Sequence, residues 1–264
     1  MNSRPDLPQP FSGATKESRI SPLPGIGEVP EIAQPEISQK LVGFESKDAR
    51  SRTFNLLRSQ LIKKLAASSG RLIGVTSPAP NAGKSFVASN LAASMSQLSS
   101  KQTVLIDLDL RRSTVAEIFG LEGPEGLTDY LLGEEVPLSS IGRRIGTSNL
   151  IVYPTFPTPV NSAELMVSDR LLELIRRARA LSDDAIVIFD LPPVFANDDA
   201  MLVAEHLDGI LLVVEQGVTT KKQLESSMQL LHPTPMLGTV FNRFTGGIAD
   251  PYGYGGKYDN YYSD

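Results

Sequence analysis

The sequence predicts an α/β fold, a mainly parallel sheet with helices on both faces, and three observations lead there. From Leu72 onward, short apolar runs alternate with stretches of helical period. The runs are apolar at successive positions rather than at every second one, as strands buried on both faces require. The first run, Leu72 to Ser77, passes through the loop Ser77-Pro78-Ala79-Pro80-Asn81-Ala82-Gly83-Lys84-Ser85 straight into a small-residue segment of helical spacing. A loop between strand and helix places unpaired N–H groups and a positive dipole end together, which suits an anion.

The predicted strands are Leu72 to Ser77, Thr103 to Asp109, Leu150 to Pro154, Ala185 to Leu191, Gly209 to Glu215 and Leu237 to Asn242. The clearest helices between them are Lys84 to Leu98, Ala163 to Leu181, Asp198 to His206 and Thr220 to Leu231. Ahead of the first strand, Phe54, Leu57, Leu61 and Leu65 recur at helical spacing, so the stretch from Ser46 to about Ala67 reads as an amphipathic helix leading into the core. Residues 1–45 carry scattered prolines and no burial pattern, and read as a disordered leader. Residues 46–244 form the folded domain. Residues 245–264 lose the pattern again and hold five of the seven tyrosines, Tyr252, Tyr254, Tyr258, Tyr261 and Tyr262, among glycines, as an exposed tail.

Composition excludes several chemistries. The 264 residues contain no cysteine and two histidines, so disulfides, thiol nucleophiles and zinc–thiolate sites are out, and an imidazole-rich metal site is disfavoured. A net charge of −5 speaks against a nucleic-acid partner. No apolar stretch approaches the roughly 20 residues needed to span a bilayer, and no signal pattern opens the chain. A cytoplasmic location is the default expectation.

The candidate chemical groups fall at predicted strand ends, where ligands bind in open α/β sheets. In the loop, Gly83 lets the backbone approach a phosphate, Lys84 neutralises the β and γ oxygens, and the Ser85 hydroxyl suits Mg²⁺. The usual pattern wants glycine at position 78, where this chain has proline. Asp107 and Asp109 close the second strand on the same side, and two such carboxylates need a cation or proton donor between them. Asp109 could instead cap the following turn, and Arg111 could pair with either acid. Asp190 ends the fourth strand before Pro192 and Pro193, where a carboxylate orienting Mg²⁺ or its waters would lie. One of Asp198 and Asp199 should cap a helix.

With the phosphate loop, Asp107-x-Asp109-x-Arg111 and Asp190-x-Pro192-Pro193 in this order, followed by a tyrosine-rich end, the chain resembles the bacterial tyrosine kinases of capsule and exopolysaccharide synthesis. Asn161-Ser162-Ala163-Glu164-Leu165, Asp208 to Val214 and Leu237 to Arg243 match as well, and the likeness runs from about residue 46 to the end. It implies a P-loop NTPase fold of the deviant-Walker, MinD/ParA-like kind, with ATP and Mg²⁺ as cofactors. Asn81, Ala82, Gly83, Lys84, Ser85, Phe86 and Arg111 would surround the nucleotide, and Asn242 would contact adenine. Ser85, Asp107, Asp109 and Asp190 would serve the metal, and Lys84, Asp107, Asp109 and Asp190 the chemistry, with Asp107 accepting the tyrosine proton. The five tail tyrosines would be the phosphoacceptors. The implied partners are a membrane adaptor of polymer length and export on a separate polypeptide, which recruits the kinase to the inner membrane face, and further copies of the chain in a ring.

The chain departs from that family's pattern in three places, one of them Phe156, which stands where relatives often have glycine before a proline-rich turn. Asn81 and Ala82 replace the glycine and glutamate of the usual loop, and Asn81 suits the change because asparagine tolerates left-handed backbone. The family's Glu-x-x-Arg-x-x-Arg oligomerisation motif falls on Arg52 to Arg58 and keeps only its last arginine, so the implied ring has an altered interface. Two other classes share the fold: a dimeric ATPase switch like the plasmid-partition and cell-division ATPases, and a non-catalytic nucleotide-binding regulator of polysaccharide export. The first carries a signature lysine early in the loop, where this chain has Ala79.

Overall fold

A computed structural model describes residues 20–32, 40–45, 48, 50–156 and 158–245. Its strands are β1 (Glu31–Ile32), β2 (Leu72–Thr76), β3 (Gln102–Asp107), β4 (Arg143–Ile145), β5 (Leu150–Tyr153), β6 (Ala185–Asp190), β7 (Gly209–Glu215) and β8 (Met236–Asn242). Its helices are α1 (Ser51–Ser68), α2 (Lys84–Ser96), α3 (Val115–Phe119), α4 (Leu127–Leu131), α5 (Leu138–Ile141), α6 (Ser162–Met166), α7 (Asp169–Arg179), α8 (Asp199–Ala204) and α9 (Lys221–Leu230).

The strands form one eight-stranded sheet in the order β1-β4-β5-β3-β6-β2-β7-β8. Every neighbouring pair is parallel except β4 with β5. Residues of β2, β3, β5 and β6 are buried almost without interruption, because helices cover both faces. One face packs the apolar side chains of α1, α2 and α3; the other packs those of α4 to α8. The order carries the functional consequence. The chain leaves β2 through α2 and returns two places away in β3, with β6 between them, so the carboxyl ends of β2, β6 and β3 lie side by side.

Local sequence explains the helix limits. In α7 the buried Leu171, Leu174, Ile175 and Ala178 follow helical spacing, and Ser168 starts the helix by accepting a hydrogen bond from the Leu171 N–H at 3.2 Å. That cap divides the single helix expected over 163–181 into α6 and α7, with Val167 exposed at the break. Asp198 takes the N-cap position of α8 without a side-chain cap bond, whereas Asp199 is buried and accepts from Asn197 Nδ2 at 2.6 Å.

The expectation of a disordered leader through residue 45 needs correction for residues 20–32 and 40–45, which lie against the core. Leu23, Val29, Leu41 and Val42 are buried, β1 adds a strand at the sheet edge, and the Leu23 N–H donates to the Arg177 carbonyl at 3.2 Å. Asn90 of α2 holds the second piece: its Oδ1 accepts from the N–H groups of Val42 and Gly43 at 2.7 and 2.9 Å, and its Nδ2 donates to the carbonyls of Lys40 and Phe86. These are single apolar anchors docking on surfaces built by the rest of the chain, and no period in the sequence announces such anchors. The expected tail, 245–264, lies outside the described residues except for Thr245.

Candidate functional site

The loop after β2 is shaped by backbone chemistry that its sequence meets residue by residue. Pro78 sits where only its carbonyl is used: the N–H groups of Val194 and Phe195 donate to the carbonyls of Ser77 and Pro78 at 2.8 and 3.1 Å. A residue without an N–H loses nothing there. Asn81 is left-handed with φ 65°, the conformation its residue type was expected to supply. Gly83 has φ 89°, and a Cβ on it would collide with Asn242 Nδ2, which donates to the Ala82 carbonyl at 2.8 Å. The backbone angle therefore requires glycine at 83, and a Cβ there would displace the Asn242 amide from the Ala82 carbonyl. The first i→i−4 bond into α2 runs from Val87 N–H to the Gly83 carbonyl, so the N–H groups ahead of it are the ones an anion would take up.

Lys84, the first residue of α2, reaches across the carboxyl end of the sheet. Its Nζ lies 2.8 Å from Asp109 Oδ2, 3.4 Å from Asp190 and 3.0 Å from Ser85 Oγ. The lysine is the cation that the clustered acids require, and it comes from a different motif. Burial alone would push its ammonium down in pKa, but the carboxylates of Asp190 and Asp109 outweigh burial and hold it above the ordinary lysine value. Asp107 and Asp190 are register partners on β3 and β6, both without exposed surface. Desolvation raises both carboxyls; Asp190 adds repulsion that lifts Asp107 well above the usual range, while Lys84 and Ser85 pull Asp190 back.

The loop beyond β3 completes the acid cluster. Asp107 Oδ1 accepts the Asp109 N–H at 3.1 Å, and its Oδ2 lies 2.6 Å from Ser113 Oγ. Asp109 accepts the Arg112 N–H at 3.2 Å, so it caps the turn and pairs with Lys84 at once. Arg111, a candidate partner of the acids, donates through Nε to Ser162 Oγ at 2.8 Å and ties this loop to α6. Phe86 packs edge-on against Phe54 of α1, centroids 5.7 Å apart, so its ring belongs to packing rather than to the loop. The surviving motif arginine, Arg58, donates to the Ser94 carbonyl of α2 at 2.6 Å within the chain. The five tail tyrosines lie outside the described residues. Ser113 and Thr155, which bond the Asp107 side chain and carbonyl, went unread in the sequence because a lone hydroxyl in a loop has no pattern.

The donor set fits a nucleotide and a hard divalent cation. The loop offers N–H groups, one ammonium and one hydroxyl to phosphate oxygens. Among the described residues no group of three His, Cys, Asp or Glu side chains stands ready to hold a metal ion. Mg²⁺ keeps waters and takes phosphate oxygens beside one or two protein ligands, a role that the Ser85 hydroxyl and a neighbouring carboxylate are placed to fill.

Fold and site together define a P-loop nucleotide-binding domain: residues 73–250 match the family described as the CobQ/CobB/MinD/ParA nucleotide binding domain. The chain is 35% identical to the tyrosine-protein kinase YwqD of Bacillus subtilis over 82% of its own length and 91% of that protein's. It is 31% identical to the tyrosine-protein kinase wzc of Salmonella typhimurium over 82% of this chain and 30% of that longer protein. Among solved structures, the kinase domain of Escherichia coli tyrosine kinase ETK superposes with a TM-score of 0.72 at 29% identity, covering 83% of this chain and 85% of that one. The chain belongs to the bacterial tyrosine-protein kinase family within that nucleotide-binding class.

Proposed function

We propose that the chain is an ATP-dependent protein-tyrosine kinase that phosphorylates its own C-terminal cluster, Tyr252, Tyr254, Tyr258, Tyr261 and Tyr262. The observation that carries this is Lys84, held 2.8 Å from Asp109 and 3.4 Å from Asp190 beside the buried Asp107. ATP and Mg²⁺ supply the γ-phosphoryl group and its charge neutralisation; the chain supplies placement. In this reading Lys84 would bind the β and γ oxygens of the nucleotide, and Asp109 and Asp190, with Ser85, would hold the cation. Asp107 accepts the phenol proton. A phenol of pKa about 10 is almost wholly protonated at neutral pH, so a nearby base assists attack, while positioning and electrostatics do most of the work.

The kinase would act with a membrane adaptor of exopolysaccharide or capsule synthesis, on a separate polypeptide, that recruits it to the cytoplasmic face of the membrane. Support comes from the resemblance and from the match to 91% of the Bacillus kinase's length. Any ring of copies would use contacts other than the family's arginine pair, because Arg58 bonds to α2. The test is to incubate purified protein with Mg-ATP, alone and with the adaptor's cytoplasmic segment, and to map phosphate. Phosphotyrosine in residues 252–262 is the expected result. ATP hydrolysis without phosphotyrosine under either condition would overturn the kinase reading and favour an ATPase switch.

A further inference from the structure

We infer that Ser113 is a positioning residue for the phosphoryl transfer, clamping the Asp107 carboxylate between the ends of β3 and β5. The inference rests on the kinase reading above. Asp107 is the last residue of β3 and has no exposed surface, so neither carboxylate oxygen has bulk water to bond. The Asp109 N–H serves Oδ1 at 3.1 Å, and Ser113 Oγ, at 2.6 Å, serves Oδ2. No other group among the described residues bonds Oδ2.

Ser113 does not hold the carboxylate from its own loop alone. Its Oγ lies 2.6 Å from the carbonyl of Thr155, beyond β5, and the Thr155 hydroxyl donates to the Asp107 carbonyl at 2.8 Å. Asp107, Ser113 and Thr155 thus form a closed circuit of three contacts joining the loop after β3 to the loop after β5. A hydroxyl has one proton, so Ser113 donates to one of its two acceptors at a time, yet the circuit keeps its oxygen beside both. Ser113 comes from a loop six positions after Asp107, and among the described residues its hydroxyl bonds the Asp107 carboxylate and the Thr155 carbonyl and not the phosphate loop or Lys84, so its effect is confined to the acid.

That separation makes a test possible. With Ser113→Ala, Asp107 Oδ2 loses its partner and the carboxylate can turn away, and misplacement by about 1 Å costs on the order of a hundredfold in rate. Full-length wild type, S113A, S113T, D107N and the S113A/D107N pair are compared for initial phosphotyrosine formation at varied Mg-ATP, with thermal unfolding recorded for each. The expected result is a fall in kcat of about 10- to 100-fold for S113A, with KM for ATP within about twofold. S113T keeps the hydroxyl and restores most of the rate. In the D107N background S113A should cost nothing further, because a residue acting through Asp107 has nothing left to position. Equal kcat for S113A and wild type, a KM effect alone, failure of S113T to recover, or full additivity with D107N would each overturn the assignment while leaving the kinase reading intact. A wild type that forms no phosphotyrosine overturns both.

Discussion

Replacing Lys84 with methionine tests the buried charge cluster in the absence of nucleotide. The lysine is 8% exposed and lies 2.8 Å from Asp109 and 3.4 Å from Asp190. Methionine keeps much of the volume but leaves Asp107, Asp109 and Asp190 buried without their cation. Deleting one partner of a buried ion pair costs about 3–5 kcal/mol. Carboxyl groups relieve that cost by taking up protons, so the loss depends on pH with a definite sign. Asp107 and Asp190 already stand above their ordinary values, and losing the lysine raises them further. A carboxyl with a raised folded-state pKa contributes stability that is complete below its unfolded value of about 4 and disappears as pH rises through the folded value. The variant should therefore be near wild type at pH 5 and about 3 kcal/mol less stable at pH 8. At roughly 2–4 °C per kcal/mol for a domain of this size, the gap at pH 8 is about 6–12 °C. Thermal unfolding of both proteins at pH 5, 6.5 and 8 without nucleotide reads this directly. A gap equal at every pH, or none at pH 8, would refute the arrangement of lysine among the acids.

Three further outcomes follow from other parts of the molecule. Asp208 is held by the N–H groups of Arg71 and Leu72 and by Arg179; burial pushes its carboxyl up, but these bonds outweigh it and the pKa is depressed. Its stabilisation is present above about pH 4 and lost as pH falls through the depressed value, so D208N should cost about 1–3 kcal/mol at pH 7 and progressively less in acid, measured by urea unfolding; a pH-independent gap would contradict this. Because Asn81 is left-handed, Asn81→Ala should lose about 1 kcal/mol and Asn81→Gly none, read as unfolding midpoints, and equal losses would show that the angle is not what asparagine serves. Asn90→Ala unpairs the amides of Val42 and Gly43 and the carbonyls of Lys40 and Phe86; a loss of about 2–4 kcal/mol with faster hydrogen exchange at Val42 and Gly43 is the expected result, and unchanged exchange there would mean the amide is no latch.

Strands buried on both faces were legible because each is a run of apolar residues bounded by turn formers. The six strands expected are all present, with ends shifted by two residues or fewer, although β8, at the sheet edge, is largely half-buried or exposed rather than covered on both faces. What escaped were elements too short to have a period: β1 has two residues, β4 three with two arginines, and α3, α4 and α5 four or five each. The buried leader residues were missed for a related reason. Composition averages over a segment, while Leu23, Val29 and Leu41 are placed one at a time by surfaces made elsewhere. Within the site, Lys84, Ser85, Asp107 and Asp190 stood out because each sits at a strand or helix end, and Asp109 because it follows Asp107 by two positions, although it lies in the loop beyond β3 rather than on the strand; the structure brings all five together. Phe86 and Arg111 drew attention by their neighbours, yet Phe86 turns its ring into the core and Arg111 bonds to α6. Pro78 read as a departure from pattern, and the bond made by its carbonyl alone explains why the loop accepts it. Ser113 had no signal because its partner Thr155 is 42 positions away.

The central claim is that Lys84 and the buried acids transfer phosphate to tyrosine, with Asp107 serving the acceptor rather than the nucleotide. The measurement that bears on it most directly is phosphate stoichiometry at each tyrosine after incubation with Mg-ATP, for wild type, Lys84→Met and Asp107→Asn, beside nucleotide affinity for the same three proteins. Phosphotyrosine confined to residues 252–262 in the wild type, lost in Lys84→Met and strongly slowed though still measurable in Asp107→Asn, with affinity weakened in Lys84→Met and retained in Asp107→Asn, is the predicted pattern. Tail phosphorylation by Asp107→Asn at the wild-type rate, or its loss only in step with nucleotide affinity, would contradict it.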